Sequence, residues 1–121
     1  MHCLIADDSG IVRKVARRIM EELSWTVSEA EDGRAAVEQC RRRMPDAILL
    51  DWSMPIMDGM QFLRVLRGEL AGGAHPKVMF CTAELDVAQI ARAMRAGADD
   101  FLMKPFDREI IEQKLQEIGL A

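Results

Sequence analysis

Ala47-Ile48-Leu49-Leu50-Asp51-Trp52-Ser53-Met54-Pro55 is the stretch that decides the fold. Four apolar residues in a row end on an acid, and turn-forming punctuation follows at Met54-Pro55 and Asp58-Gly59. A short apolar run bounded this way reads as a strand buried on both faces, the kind found in a parallel sheet covered by helices on each side. The same design recurs outward in both directions. Residues 3–6 run into Asp7-Asp8-Ser9, residues 77–81 into Thr82, and residues 101–103 into Lys104-Pro105. Residues 25–30 (Trp-Thr-Val-Ser-Glu-Ala) alternate, as a strand does.

Helix-period segments fill the gaps. Ser9 is an N-cap for Ile11, Val12, Val15, Ile19, Met20 and Leu23, with Arg13, Lys14, Arg17, Arg18 and Glu21 elsewhere on the wheel. Asp32-Gly33 opens a second helix that ends before Met44-Pro45. Asp58-Gly59 opens a third, to about residue 70. The spacing predicts a fourth over 85–96, closed by Gly97, and Asp107 caps a fifth to about residue 118. Strand and helix alternate five times, which predicts a doubly wound α/β fold with a parallel sheet.

Composition narrows the classes. At 121 residues, 50% of them apolar, the chain is expected to be a single domain, residues 1–121, with a core of its own. A net charge of −4 argues against nucleic-acid binding and a polybasic membrane anchor. No apolar run is long enough to span a membrane, and the N-terminus lacks the basic start of a signal peptide. Cys3, Cys40 and Cys81 are odd in number, widely spaced and lack any CxxC, which argues for free thiols and a cytoplasmic protein.

In an open α/β sheet the site lies beyond the carboxyl ends of the strands. If the strands are parallel, Asp7, Asp8, Asp51, Thr82 and Lys104 share one edge. Three carboxylates in one crevice repel each other, and a hard divalent cation with oxygen ligands relieves that. The lysine ammonium adds positive charge, and the hydroxyl completes a site able to hold a phosphoryl group.

Asp7-Asp8, Asp51 at a strand end, Met54-Pro55, Met57-Asp58-Gly59, Thr82-Ala83 and Lys104-Pro105-Phe106 together resemble the receiver domain of two-component response regulators. Each piece is common; all of them in order, across essentially the whole chain, are specific. The resemblance implies a flavodoxin-like fold with strand order 2-1-3-4-5. It implies a switch rather than an enzyme with an external substrate: a histidine kinase or histidine phosphotransfer protein gives a phosphoryl group to Asp51 in a Mg²⁺-dependent (or Mn²⁺-dependent) reaction. Asp8, Asp51 and the Ser53 backbone carbonyl would then bind the ion directly, and Asp7 through water. Lys104 would pair with Asp51 and then with the phosphoryl group, its direction set by a cis bond to Pro105. Thr82 and Phe101 would form the switch, and Ser53 and Glu84 would tune hydrolysis. A partner would read the face made by the fourth helix, fifth strand and fifth helix, with the protein a monomer or a weak dimer on activation. Arg13, Lys14, Arg17 and Arg18 on the first helix suggest a partner-docking patch.

Two other classes compete. Arg92 and Arg95, with Arg41–Arg43, could bind a cyclic dinucleotide such as cyclic di-GMP, although no glycine-rich phosphate loop accompanies them. A metal-dependent phosphatase would also start from an acid at a strand end, but it needs a second acid two residues on, where Ser53 stands.

Overall fold

The computed structural model describes residues 1–120. Five strands, β1 (His2–Ala6), β2 (Thr26–Ala30), β3 (Ala47–Asp51), β4 (Lys77–Thr82) and β5 (Asp100–Met103), alternate with five helices. These are α1 (Gly10–Glu22), α2 (Gly33–Arg42), α3 (Gly59–Glu69), α4 (Val87–Ala96) and α5 (Arg108–Glu117). The strands form one sheet in the order β2-β1-β3-β4-β5, and every neighbouring pair is parallel. This is the flavodoxin-like arrangement.

Successive side chains on a strand point to opposite faces, and that alternation divides the core in two. Leu4, Ala6, Ile48, Leu50, Val78 and Phe80 pack with α2, α3 and α4 residues such as Val37, Phe62, Leu63 and Ala93. Cys3, Ile5, Ala47, Leu49, Met79 and Cys81 pack on the other side with Ala16, Met20, Ile111 and Leu115 of α1 and α5. Both faces being covered, β1 and β3 are buried along their whole length.

Each helix starts on a side-chain cap. Ser9 accepts from Val12 N–H, Asp32 from Ala35 N–H and Asp107 from Ile110 N–H. Asp58 and Gln61 form a reciprocal capping box at α3. The fourth helix starts later than the periodicity predicts: Asp86 is its cap, accepting from Gln89 N–H, so Leu85 lies outside it. Leu85 has helix propensity, but the Asp86 carboxylate satisfies an orphan N–H that a longer helix would leave open. The three cysteines are free and buried. Burial pushes the Cys40 and Cys81 thiols up to about 12 and raises Cys3 as well, which disfavours the thiolate, the reactive form, at all three. The His2 ring bridges the Thr26 and Ser28 hydroxyls of β2 at 2.7 and 3.0 Å.

Phe62 is completely buried between α3 and the sheet. Phe62→Ala is expected to lower the unfolding free energy by about 3–5 kcal/mol, read as a lower urea midpoint with an unchanged slope.

Candidate functional site

Register brings the acids together. Ala6 pairs with Leu50 and Asp51 with Cys81, so Asp7, one residue past β1, lies beside Asp51 at the end of β3. Strand order does the rest: β1 and β3 are the central neighbours where the chain reverses its winding, the place where such sheets form their crevice. Oxygens of Asp7, Asp8 and Asp51 lie within 4.8 Å of one another.

Lys104 follows β5 and reaches over β4 to both buried acids. Its Nζ donates to Asp7 Oδ2 at 2.7 Å and to Asp51 Oδ1 at 3.0 Å. Its backbone N–H donates to the Thr82 carbonyl at 2.8 Å, and the Lys104–Pro105 peptide is cis. The resemblance pairs Lys104 with Asp51, but the shorter bond is to Asp7. Asp7 is further held by Ser9 N–H at 2.9 Å, whereas Asp8 is exposed.

Burial pushes the Asp51 carboxyl up. The Lys104 hydrogen bond pulls it down, the Asp7 and Asp8 charges push it up again, and the net shift is upward. Burial by itself would lower Lys104, but its bonds to Asp7 and Asp51 outweigh that and raise it, so it stays charged. One ammonium among three carboxylates leaves an excess of negative charge. The donor set is all oxygen, acidic and partly open, which fits a hard divalent cation such as Mg²⁺.

A cleft of about 240 Å³ opens onto Asp51, lined among others by Trp52, Ser53, Thr82, Glu84 and Lys104. Thr82 is buried, and its hydroxyl donates to the Glu84 carbonyl at 2.9 Å, so it serves the β4–α4 turn. Phe101, half-buried on β5, lies opposite Phe80 in the ladder and beneath the Lys114 ammonium, 5.0 Å from the ring centre. Ser53 and Glu84 are exposed at the rim. Trp52, half-buried, packs edge-on against Phe80 with ring centres 5.1 Å apart.

Two features escaped sequence reading. Gly59 fits against the end of β3 so closely that a Cβ would run into the Asp51 carbonyl, and its N–H donates to the Trp52 carbonyl at 2.9 Å. The Asp-Gly pair was legible as a helix start, but not as this contact. The basic patch on α1 is also partly spent: Arg13 and Arg17 both bond Glu29 of β2, leaving Lys14 and Arg18 without an ion pair among the described residues. Arg92 and Arg95 are exposed on α4 and Arg41–Arg43 at the end of α2, with α3 packed against both helices.

A doubly wound α/β domain with an acidic, lysine-bridged pocket at its strand ends defines the class, and the comparisons define the family. The chain belongs to the response regulator receiver domain family, whose sequence model matches residues 3–116. Chemotaxis protein CheY of Pseudomonas aeruginosa is 32% identical over 119 residues, covering 98% of this chain and 95% of that protein. Chemotaxis protein CheY of Halobacterium salinarum is 33% identical over 118 residues, covering 98% and 96%. Among solved structures, chemotaxis protein CheY4 of Vibrio cholerae superposes with a TM-score of 0.90 at 26% identity, covering 97% of each chain. The receiver domain of a sensor histidine kinase from Pseudomonas aeruginosa, described with a magnesium ion coordinated in its active site cleft, gives 0.86 at 28% identity, covering 96% and 94%.

An acid whose folded-state pKa is raised costs stability when ionised. That cost is fully present above the raised value and vanishes as pH falls below 3.8, the ordinary value. Asp51→Asn is therefore expected to melt higher than the wild type in metal-free buffer near neutral pH. The advantage should fade as pH falls toward 3.8, read by thermal unfolding across a pH series.

Proposed function

We propose that this protein is a stand-alone, cytoplasmic response regulator that takes a phosphoryl group on Asp51 and relays the event through its α4–β5–α5 face. What supports the reading most is the convergence of Lys104 on Asp7 and Asp51, 97 and 53 residues away in the chain. Such a pocket needs further positive charge and offers a nucleophilic oxygen beside it.

The residues divide the work. An Asp51 oxygen attacks the phosphorus of a phosphohistidine on a kinase or a histidine phosphotransfer protein. The O–P bond forms as the P–N bond breaks, and the imidazole nitrogen leaves with the electron pair. Asp7, Asp8, Asp51 and the Ser53 backbone carbonyl would hold Mg²⁺ or Mn²⁺, Asp7 through water. When bound, the ion neutralises charge between the acids and the incoming phosphoryl oxygens. Lys104, held across the pocket, loses its partner oxygen on Asp51 and takes a phosphoryl oxygen instead. The donor protein docks at the pocket mouth, where an apolar hollow of about 300 Å³ is lined by Ile11, Val12, Val15, Ala83, Pro105 and Phe106 beside Lys104. Ile11 is 78% exposed there.

The switch follows from the Thr82 hydroxyl. To bond a phosphoryl oxygen it must give up the Glu84 carbonyl, which releases the β4–α4 turn. Phe101 then turns into the space that Thr82 leaves. Free energy for the change comes from contacts present in one state only. Ser53 and Glu84 flank the path of attacking water and set the lifetime of the acyl phosphate. The output is chemotaxis or motility control, or a step in a phosphorelay, as its similarity to chemotaxis proteins supports.

Incubation with acetyl phosphate, followed by intact mass, tests the chemistry. The expected result is one phosphoryl adduct that requires Mg²⁺ and is absent from Asp51→Asn. An adduct that persists in that variant overturns the assignment of the acceptor. Phe101→Ala is expected to leave the adduct yield unchanged while weakening phosphorylation-dependent binding of the output partner. Loss of the adduct itself would make Phe101 a core residue and no part of the switch.

A further inference from the structure

Arg13 lies on α1, one turn past the Ser9 cap, and its side chain turns back toward the strands. Its Nη1 donates to the backbone carbonyl of Asp7 at 2.7 Å, and its Nε donates to Glu29 Oε1 on β2 at 3.0 Å. The Arg13 side chain is only 19% exposed. Arg17, one turn further on, donates its Nε to the other Glu29 oxygen at 2.7 Å. The remaining Arg17 bonds go to Glu21 and to the Val27 carbonyl, and none reaches Asp7. The two arginines therefore share a brace, but only one of them touches the acidic turn.

That turn contains an unequal pair. Asp7 is fixed on every side: its N–H donates to the Ala30 carbonyl at 3.0 Å, and its carboxylate accepts from Ser9 N–H and Lys104. Asp8 is exposed, and its carboxylate has no hydrogen bond or ion pair among the described residues. Its aim is set by the backbone. The peptide unit joining Asp7 to Asp8 is planar, so the direction of the Asp7 carbonyl also sets the direction in which Asp8 leaves the strand. Arg13 holds that carbonyl.

We infer that Arg13 is a positioning residue for the cation site: braced on Glu29, it fixes the Asp7–Asp8 peptide so that the Asp8 carboxylate stays within reach of Asp7 and Asp51. The inference rests on the reading of those three acids as a divalent-cation site.

Charge alone predicts the opposite effect, which makes the idea separable from simple electrostatics. A guanidinium beside a cation site repels the cation. Burial tends to raise the Glu29 carboxyl, but the hydrogen bonds and charges of Arg17 and Arg13 outweigh it and hold it below its ordinary value. Glu29 is thus ionised at neutral pH. Removing Arg13 leaves that negative charge in place, so electrostatics predicts tighter cation binding, whereas loss of positioning predicts weaker binding.

The test is an equilibrium Mg²⁺ titration of the unphosphorylated protein, followed by tryptophan fluorescence, with a thermal melt of each variant in metal-free buffer. Arg13→Met is expected to weaken Mg²⁺ binding by about tenfold or more, the scale seen when the partner of a metal ligand is lost. Arg17→Met, which loosens the same brace without touching Asp7, is expected to lose stability and keep wild-type affinity. Arg13→Lys keeps the charge but cannot span both acceptors, so an intermediate affinity is expected; it also decides the matter if Arg13→Met does not fold. Wild-type or tighter binding in the Arg13 variants overturns the inference, as does equal weakening in Arg17→Met. Absence of saturable binding in the wild type overturns the reading of the acids as a cation site, and the inference falls with it. Tight wild-type binding with unaffected Arg13 variants removes the positioning role alone.

Discussion

The Lys104 ammonium, 2.7 Å from Asp7 and 3.0 Å from Asp51, is the contact on which the site depends. Carboxylate oxygens within 4.8 Å of each other repel by roughly 3 kcal/mol per pair at an effective dielectric of about 20. The sheet can place them side by side because a cation from a third strand lies between two of them. Lys104 is itself held by strand geometry, through its backbone bond to Thr82. The neutralisation is incomplete: Asp8 remains, and Asp51 stays above its ordinary carboxyl range. The domain thus carries an acidic cluster whose mutual repulsion costs some stability, the usual relation between stability and activity at functional sites.

Around that contact the fold is stiff in some places and loose in others. Strand β3, which carries Asp51, is central and buried, with Gly59 pressed against its carboxyl end. Helix α4 is held unevenly. At its C-terminal end Arg67 donates to the Gly97 carbonyl at 2.8 Å and to Asp99 at 3.1 Å, and Asp99 in turn accepts from Val78 N–H at 2.8 Å. At its N-terminal end, Leu85 and Val87 are 68% and 73% exposed, and only Ala93 of the helix is buried. The loose end is the one joined to Thr82 through Glu84. Few apolar contacts mean a low cost of local rearrangement, so α4 is cheapest to rearrange at the end nearest Thr82.

The sequence alone determined the order of elements and the identity of the five strand-end groups. Buried parallel strands must be continuous apolar runs, and residues 47–50 and 78–81 read that way because water is excluded from both their faces. The caps Ser9, Asp32, Asp58 and Asp107 were equally legible, because an orphan N–H at a helix start requires a short acceptor side chain at one fixed position. The start of α4 was misplaced, since Leu85 suits a helix and only the Asp86–Gln89 bond decides against it.

Tertiary structure decided what depends on strands meeting across the sheet. That Lys104 bonds Asp7 more closely than Asp51, that Thr82 is engaged by the turn beside it, that Gly59 abuts Asp51, and that Arg13 and Arg17 meet at Glu29 are facts of register and strand order. Periodicity along a chain records which face a residue takes. It carries no information about the distance between atoms on different strands, and the charge balance of this pocket is set by those distances.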